Sequence, residues 1–68
     1  MRINLIKERK KKHLTQIQIA NNLKISERHY KSLEAGTSKG SMKIWENLKQ
    51  FFHKSIDYLY QDTDLKGR

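Results

Sequence analysis

The chain has no cysteine, only three glycines, and half as many acidic residues as basic ones. Without cysteine there are no disulfides, thiolate metal sites or sulfur nucleophiles, and nothing demands an oxidising compartment. No apolar run nears the ~20 residues of a membrane span, and no apolar stretch of leader length follows the basic start "MRINLIKERKKKHLTQ". Strand signals are equally scarce: there is no sustained two-residue alternation and no Asn-Gly or Asp-Gly hairpin. The expectation is a soluble, cytoplasmic, all-α protein.

At 68 residues the chain is one domain at most, and a core of that size is marginal without a regular helical fold or a partner. Fifteen Lys and Arg against seven Asp and Glu leave a net charge of +8. Such an imbalance repels itself unless a polyanion supplies the opposite charge, so nucleic acid is the leading partner class. RNA-binding modules and membrane-surface helices share this charge and are the first rivals.

Helical periodicity is plain. Leu5, Ile6 and Arg9 mark a first helix ending near His13. Ile19, Ala20 and Leu23 then share one face of a second, and Thr15 followed by Gln18 is a capping box for its start. Ser26 caps a third helix carrying Tyr30 and Leu33, and Gly36 stops it. After the loop "GTSKGS", Ser41 caps "MKIWENLKQFF", whose stripe is read as Met42, Trp45, Leu48 and Phe52. Ser55 caps a short last helix with Ile56 and Leu59 inward. Residues 1–61 form the expected domain, and residues 62–68 a polar tail.

Within "LTQIQIANNLKISERHYKSLEAG", residues 14–36, two helices are joined by a short turn in a basic protein, as in the helix-turn-helix motif whose second helix enters the major groove. Glu27, Arg28, Lys31 and Ser32 remain on the surface of that second helix. Arg and Lys donate to guanine, and Glu accepts from cytosine. The alternative is a solvated helix face.

From Leu5 to Tyr60 the chain resembles, without gaps, the lambda-repressor-like or Cro/C1-type helix-turn-helix domains, five-helix DNA-binding modules of phage and bacterial regulators. The resemblance rests on Leu5 and Arg9, on "LTQ" with Ile19, Ala20 and Leu23, on "IS" at 25–26 and "LEAG" at 33–36, on Ser41, Leu48 and Phe52, and on "SIDYLY" at 55–60. It implies a compact five-helix fold in which Glu27, Arg28, Lys31 and Ser32 read bases. It also implies that Gln16, Thr37, Ser38 and Lys39 hold phosphates, and that Arg9 pairs with Glu34; Lys43, just beyond the loop, is expected to join them on the ground of charge and position. Lys24 and His53 stand where the family commonly has glycine, Glu8 where it has an apolar or small residue, and Tyr30 where it has a β-branched one.

The expected activity is that of a sequence-specific double-stranded DNA-binding regulator, a repressor acting as a homodimer on a palindromic operator. Ile44, Phe51, Tyr58 and Tyr60 exceed what the core stripe needs and are the candidate dimer interface. An antitoxin of the same fold, binding a toxin and its own operator, is the alternative. Enzyme chemistry is the least favoured reading, because no nucleophile or cleft residues accompany Glu34. His13, His29 and His53 are too scattered to bind a metal. "GTSKGS" follows a helix and lacks the Gly-Lys-Ser ending of a nucleotide loop. No cofactor, membrane or small-molecule ligand is therefore expected.

Overall fold

In the computed structural model, residues 1–62 are described; positions 63–68 of the expected tail lie outside the described residues. Five helices follow in order: α1 (Ile3–Lys11), α2 (Gln16–Leu23), α3 (Glu27–Ala35), α4 (Met42–Phe52) and α5 (Ile56–Tyr60). Among the described residues there is no strand.

Four of the five helices begin on a hydroxyl that accepts an otherwise unpaired backbone N–H. Thr15 Oγ1 accepts from the Gln18 amide at 3.2 Å while Gln18 Oε1 accepts from the Thr15 amide at 2.8 Å, which closes the capping box. Ser26, Ser41 and Ser55 accept from His29, Ile44 and Tyr58 in the same way. Each such cap stabilises its helix by about 1 kcal/mol. Gly36 ends α3 at φ +87°, a left-handed conformation open to glycine without strain. His13, Lys24 and His53 adopt the same region at φ 59°, 62° and 57° although each carries a side chain. The left-handed turn at His13 explains why α1 stops at Lys11 rather than at His13 itself.

Every helix contributes to one core, built from Leu5, Ile19, Ala20, Leu23, Tyr30, Leu33, Ile44, Trp45, Leu48, Phe52 and Leu59. Ala20 is fully buried where α2 packs on α3, and Tyr30 fills the space of the expected β-branched residue with no exposure at all. One stripe differs from expectation. Met42, read as core, is 67% exposed, and Ile44, read as surplus, is 9% exposed. Met42 is the first residue of α4, with no preceding turn to pack beside, so the inward face begins two residues later with Ile44, Trp45 and Leu48.

Three charged residues enter the interior: Arg2, Glu8 and Glu34. Arg2 donates to the carbonyls of Leu33 at 2.6 Å, Ser38 at 2.8 Å and Tyr60 at 3.0 Å. Its guanidinium also lies 5.2 Å from the Trp45 ring centre and 4.5 Å from that of Tyr60. One side chain thus ties α3, the following loop and α5 to the start of the chain.

Candidate nucleic-acid interface

Glu27, Arg28 and Lys31 are exposed on α3, and Ser32 is half-buried beside them. Lys31 Nζ lies 3.5 Å from Glu27 Oε2, an i,i+4 pair on the open surface. An exposed pair of this kind contributes little to stability, so a ligand separates it at small cost. Arg28 makes no ion pair among the described residues. The Ser32 hydroxyl donates within its own helix, shared between the carbonyls of Arg28 and His29 at 3.0 Å each. Its hydrogen is occupied there, and acceptor capacity is what it retains for a ligand.

Behind the helix pair stands a buried polar cluster. Arg9 Nε donates to Glu34 Oε2 at 2.6 Å, Arg9 Nη2 to Oε1 at 3.3 Å, and Arg9 Nη1 to the Leu14 carbonyl at 2.8 Å. The Arg9 and Glu34 side chains are 12% and 4% exposed. Bonding to Glu34 pushes the guanidinium pKa up against the opposing effect of burial. The Tyr30 hydroxyl lies buried without a partner in hydrogen-bond geometry. Burial first, and then the Glu34 carboxylate, push that phenol well above its ordinary range.

The same carboxylate orients Gln16. Gln16 Nε2 donates to Glu34 Oε1 at 2.9 Å. A primary amide nitrogen carries two hydrogens, so one is committed inward and one is left for an acceptor beyond the protein. Gln16 is the first residue of α2 and half-exposed.

The loop after α3 is pinned from beneath. Arg2 holds the Ser38 carbonyl, and Trp45 Nε1 donates to the Lys39 carbonyl at 2.7 Å. Gly40 sits at φ +69°, and a Cβ there would meet Leu33 Cδ2 at 2.8 Å and Trp45 Nε1 at 2.9 Å, so only glycine lets the loop lie this close. The amides of Thr37 and Ser38 both point to the Ser32 carbonyl, at 3.1 and 3.3 Å. They close the end of α3. The groups this loop presents are therefore side chains, above all exposed Lys39.

Lys43 stands apart from Lys39. It lines an open cleft of about 610 Å³ with Asn22, Lys24, Ser41, Ile44 and Asn47. Sequence reasoning missed Asn22, Lys24 and Asn47 as polar neighbours of Lys43. Their signal was weak, since nothing in the spacing joins the end of α2 to the start of α4. Lys39 lines a second cleft, of about 320 Å³, with Met42, Trp45, Ile56, Asp57 and Tyr60.

The four apolar residues taken as surplus are not a single free face. Ile44 belongs to the core, Phe51 and Tyr58 pack half-buried against it, and Tyr60 is 38% exposed with its ring edge-on to Trp45 at 5.1 Å. Among the described residues no group of three or more His, Cys, Asp or Glu could hold a metal ion, and no helix is long and apolar enough to cross a membrane.

A family model described as helix-turn-helix matches residues 5–59, from the first turn of α1 almost to the end of α5. The chain belongs to the Cro/C1-type helix-turn-helix family. Curated proteins and solved structures yield no match to it. As a family member it is a DNA-binding transcriptional regulator domain, and double-stranded DNA is its partner. Membership agrees with the geometry at the motif: α2 and α3 joined through Lys24, Ile25 and Ser26, with the polar face of α3 open.

Proposed function

We propose that the protein is a repressor that binds a palindromic operator as a homodimer, with Arg28 and Lys31 of α3 reading base edges and Glu27 and Ser32 accepting hydrogen bonds beside them. The observation that carries this reading is the contrast within α3. Its inner face is locked into the core through Tyr30, Leu33 and Glu34, while Arg28 stands in its first turn, exposed and unpaired among the described residues. A rigid helix with a free guanidinium at its leading end suits bidentate recognition of guanine. Gln16, Thr37, Ser38, Lys39 and Lys43 contact phosphates around it, Gln16 through the amide hydrogen that Glu34 leaves free.

Two copies are needed because one such helix contacts too few bases for a tight specific site. The cleft formed by Met42, Trp45, Ile56 and Tyr60 is the surface we assign to the partner copy, in place of Ile44 and Phe51. Asp57 lines it as well, and a two-fold axis would set the apolar patch of each copy against its counterpart. A dimer seated on its operator covers the intervening DNA, which is repression by occlusion.

The test separates reading from positioning. Arg28→Ala should weaken operator binding by about 1–3 kcal/mol and relax preference at one base pair per half-site, whereas Lys39→Ala should weaken cognate and random duplexes alike and lower the salt slope by about one per subunit. Binding of both variants to an operator library at two salt concentrations measures this. Equal loss on every sequence for Arg28→Ala would reduce α3 to an electrostatic clamp.

A further inference from the structure

The far end of the molecule carries its own concentration of positive charge. Lys12 Nζ lies 5.6 Å from the centre of the Phe51 ring, which brings the end of α1 against the end of α4. Lys49, His53 and Lys54 line an open cleft of about 440 Å³ at the turn from α4 into α5. Lys11, Lys12, Lys49, His53 and Lys54 are all exposed.

Little offsets this charge. The carboxylate in contact with the group is Glu8, which is 5% exposed and occupied by the Tyr58 hydroxyl at 3.0 Å and by Lys11 at 3.5 Å. Glu46, one turn before Lys49, makes no ion pair with it among the described residues. The C-termini of α1 and α4 contribute about half a negative charge each, which leaves four lysines well short of neutral. The patch is also remote from the recognition loop. That loop leads into the first residue of α4, and eleven residues at 1.5 Å each separate the two ends by about 16 Å.

We propose that this surface is a second DNA-backbone site: Lys12, Lys49 and Lys54, with Lys11 and His53 beside them, hold the phosphates of a separate duplex segment while α3 occupies the first. A protein already concentrated on DNA meets further phosphodiesters at high local density, and a lysine cluster needs no base readout to hold them. The consequence is bridging of two duplexes by one bound regulator. The proposal rests on the DNA-binding reading of α3 but uses none of its residues.

The experiment uses the full chain, a bead-bound duplex of arbitrary sequence and a labelled duplex in solution. Wild type should carry the labelled duplex to the bead. The triple variant Lys12→Glu, Lys49→Glu, Lys54→Glu should bind the bead within about threefold of wild type yet lose capture of the second duplex by about a hundredfold, because each phosphate contact contributes steeply at moderate salt. The corresponding Lys→Gln triple, gentler on the fold, should lose part of that capture, and circular dichroism checks that both remain helical. Arg28→Ala with Lys39→Ala should instead weaken binding to the bead; if it does not, the reading of α3 fails independently of this one. The second site is overturned if wild type carries no labelled duplex, or if the glutamate variant bridges as wild type does. It is also overturned if charge reversal weakens both duplexes equally, or if the lysines bind phosphatidylserine vesicles and no second duplex.

Discussion

Two glutamates are buried to nearly the same depth, Glu34 behind the recognition helix and Glu8 behind the lysine-rich end, yet they are held by different means. Glu34 receives two guanidinium N–H groups and the Gln16 amide, and its cation is itself almost buried. Glu8 receives a neutral phenol and a lysine whose side chain is 65% exposed. The first is a closed ion pair that joins α1, α2 and α3. The second is a carboxylate in a position the family usually fills with an apolar or small side chain, satisfied by α5 and by a lysine that can return to solvent. Burial of a charge is therefore not one situation: what matters is whether its partner can leave.

The largest expected effect tests that difference directly. Glu34→Ala should destabilise the fold by about 3–5 kcal/mol, because it strands Arg9 in a dry site. Glu8→Ala should cost about 1.5–3 kcal/mol, the range for losing a hydrogen bond to a charged group, since Lys11 can return to water. Urea denaturation of both variants measures the gap. Equal losses would break the comparison and make the two carboxylates equivalent.

These two sites also mark where the amino-acid sequence was readable. Helix starts were legible because a hydroxyl at a helix start is a local signal, and Thr15, Ser26, Ser41 and Ser55 all cap as their spacing predicts. The all-α class and the helix-turn-helix followed from periodicity and from the family resemblance. Arg2 was not legible: its acceptors are backbone carbonyls at positions 33, 38 and 60, and no spacing rule links such groups to a side chain near the start. Glu8 was marked as a departure from the family, but its partner Tyr58 lies fifty residues away. Met42 and Ile44 exchanged roles because a stripe is ambiguous in the first turn of a helix, where the packing of the neighbouring turn cannot decide it. At the site, α3 and its loop could be placed in advance. The cleft that joins Lys43 to Asn22, Lys24 and Asn47 depends on how α4 meets α2, a tertiary fact.

A smaller effect is carried by Glu8 and appears with pH. Burial raises the pKa of Glu8, but the Tyr58 hydroxyl together with Lys11 and Lys54 outweighs it and holds the group below its ordinary 4.5. A folded-state pKa lower than the unfolded one contributes stability above the unfolded value, and that contribution is lost as pH falls through the folded value. The Glu8 contribution should thus be complete near neutrality and disappear below about 4.5. Glu8→Gln should flatten the acid limb of the stability curve in that window, as followed by melting temperature against pH. An acid limb identical to wild type would show that Glu8 does not titrate with folding.

The smallest expected effect concerns the turns beside the two regions. Lys24 closes α2 on the recognition side and His53 closes α4 on the lysine-rich side, both at left-handed φ where the family commonly has glycine. An L-residue there costs about 1–2 kcal/mol relative to glycine, and glycine returns part of that through its greater freedom in the unfolded chain. Lys24→Gly and His53→Gly should each stabilise the fold by about 0.5–1 kcal/mol. Only Lys24 also lines the cleft with Lys43, next to the helix-turn-helix. Lys24→Gly should therefore raise the melting temperature and lower DNA affinity together, with the salt slope reduced by about one. His53→Gly should raise the melting temperature and leave binding of a single duplex unchanged. If Lys24→Gly gains stability without losing affinity, the lysine is a strained turn residue with no backbone contact.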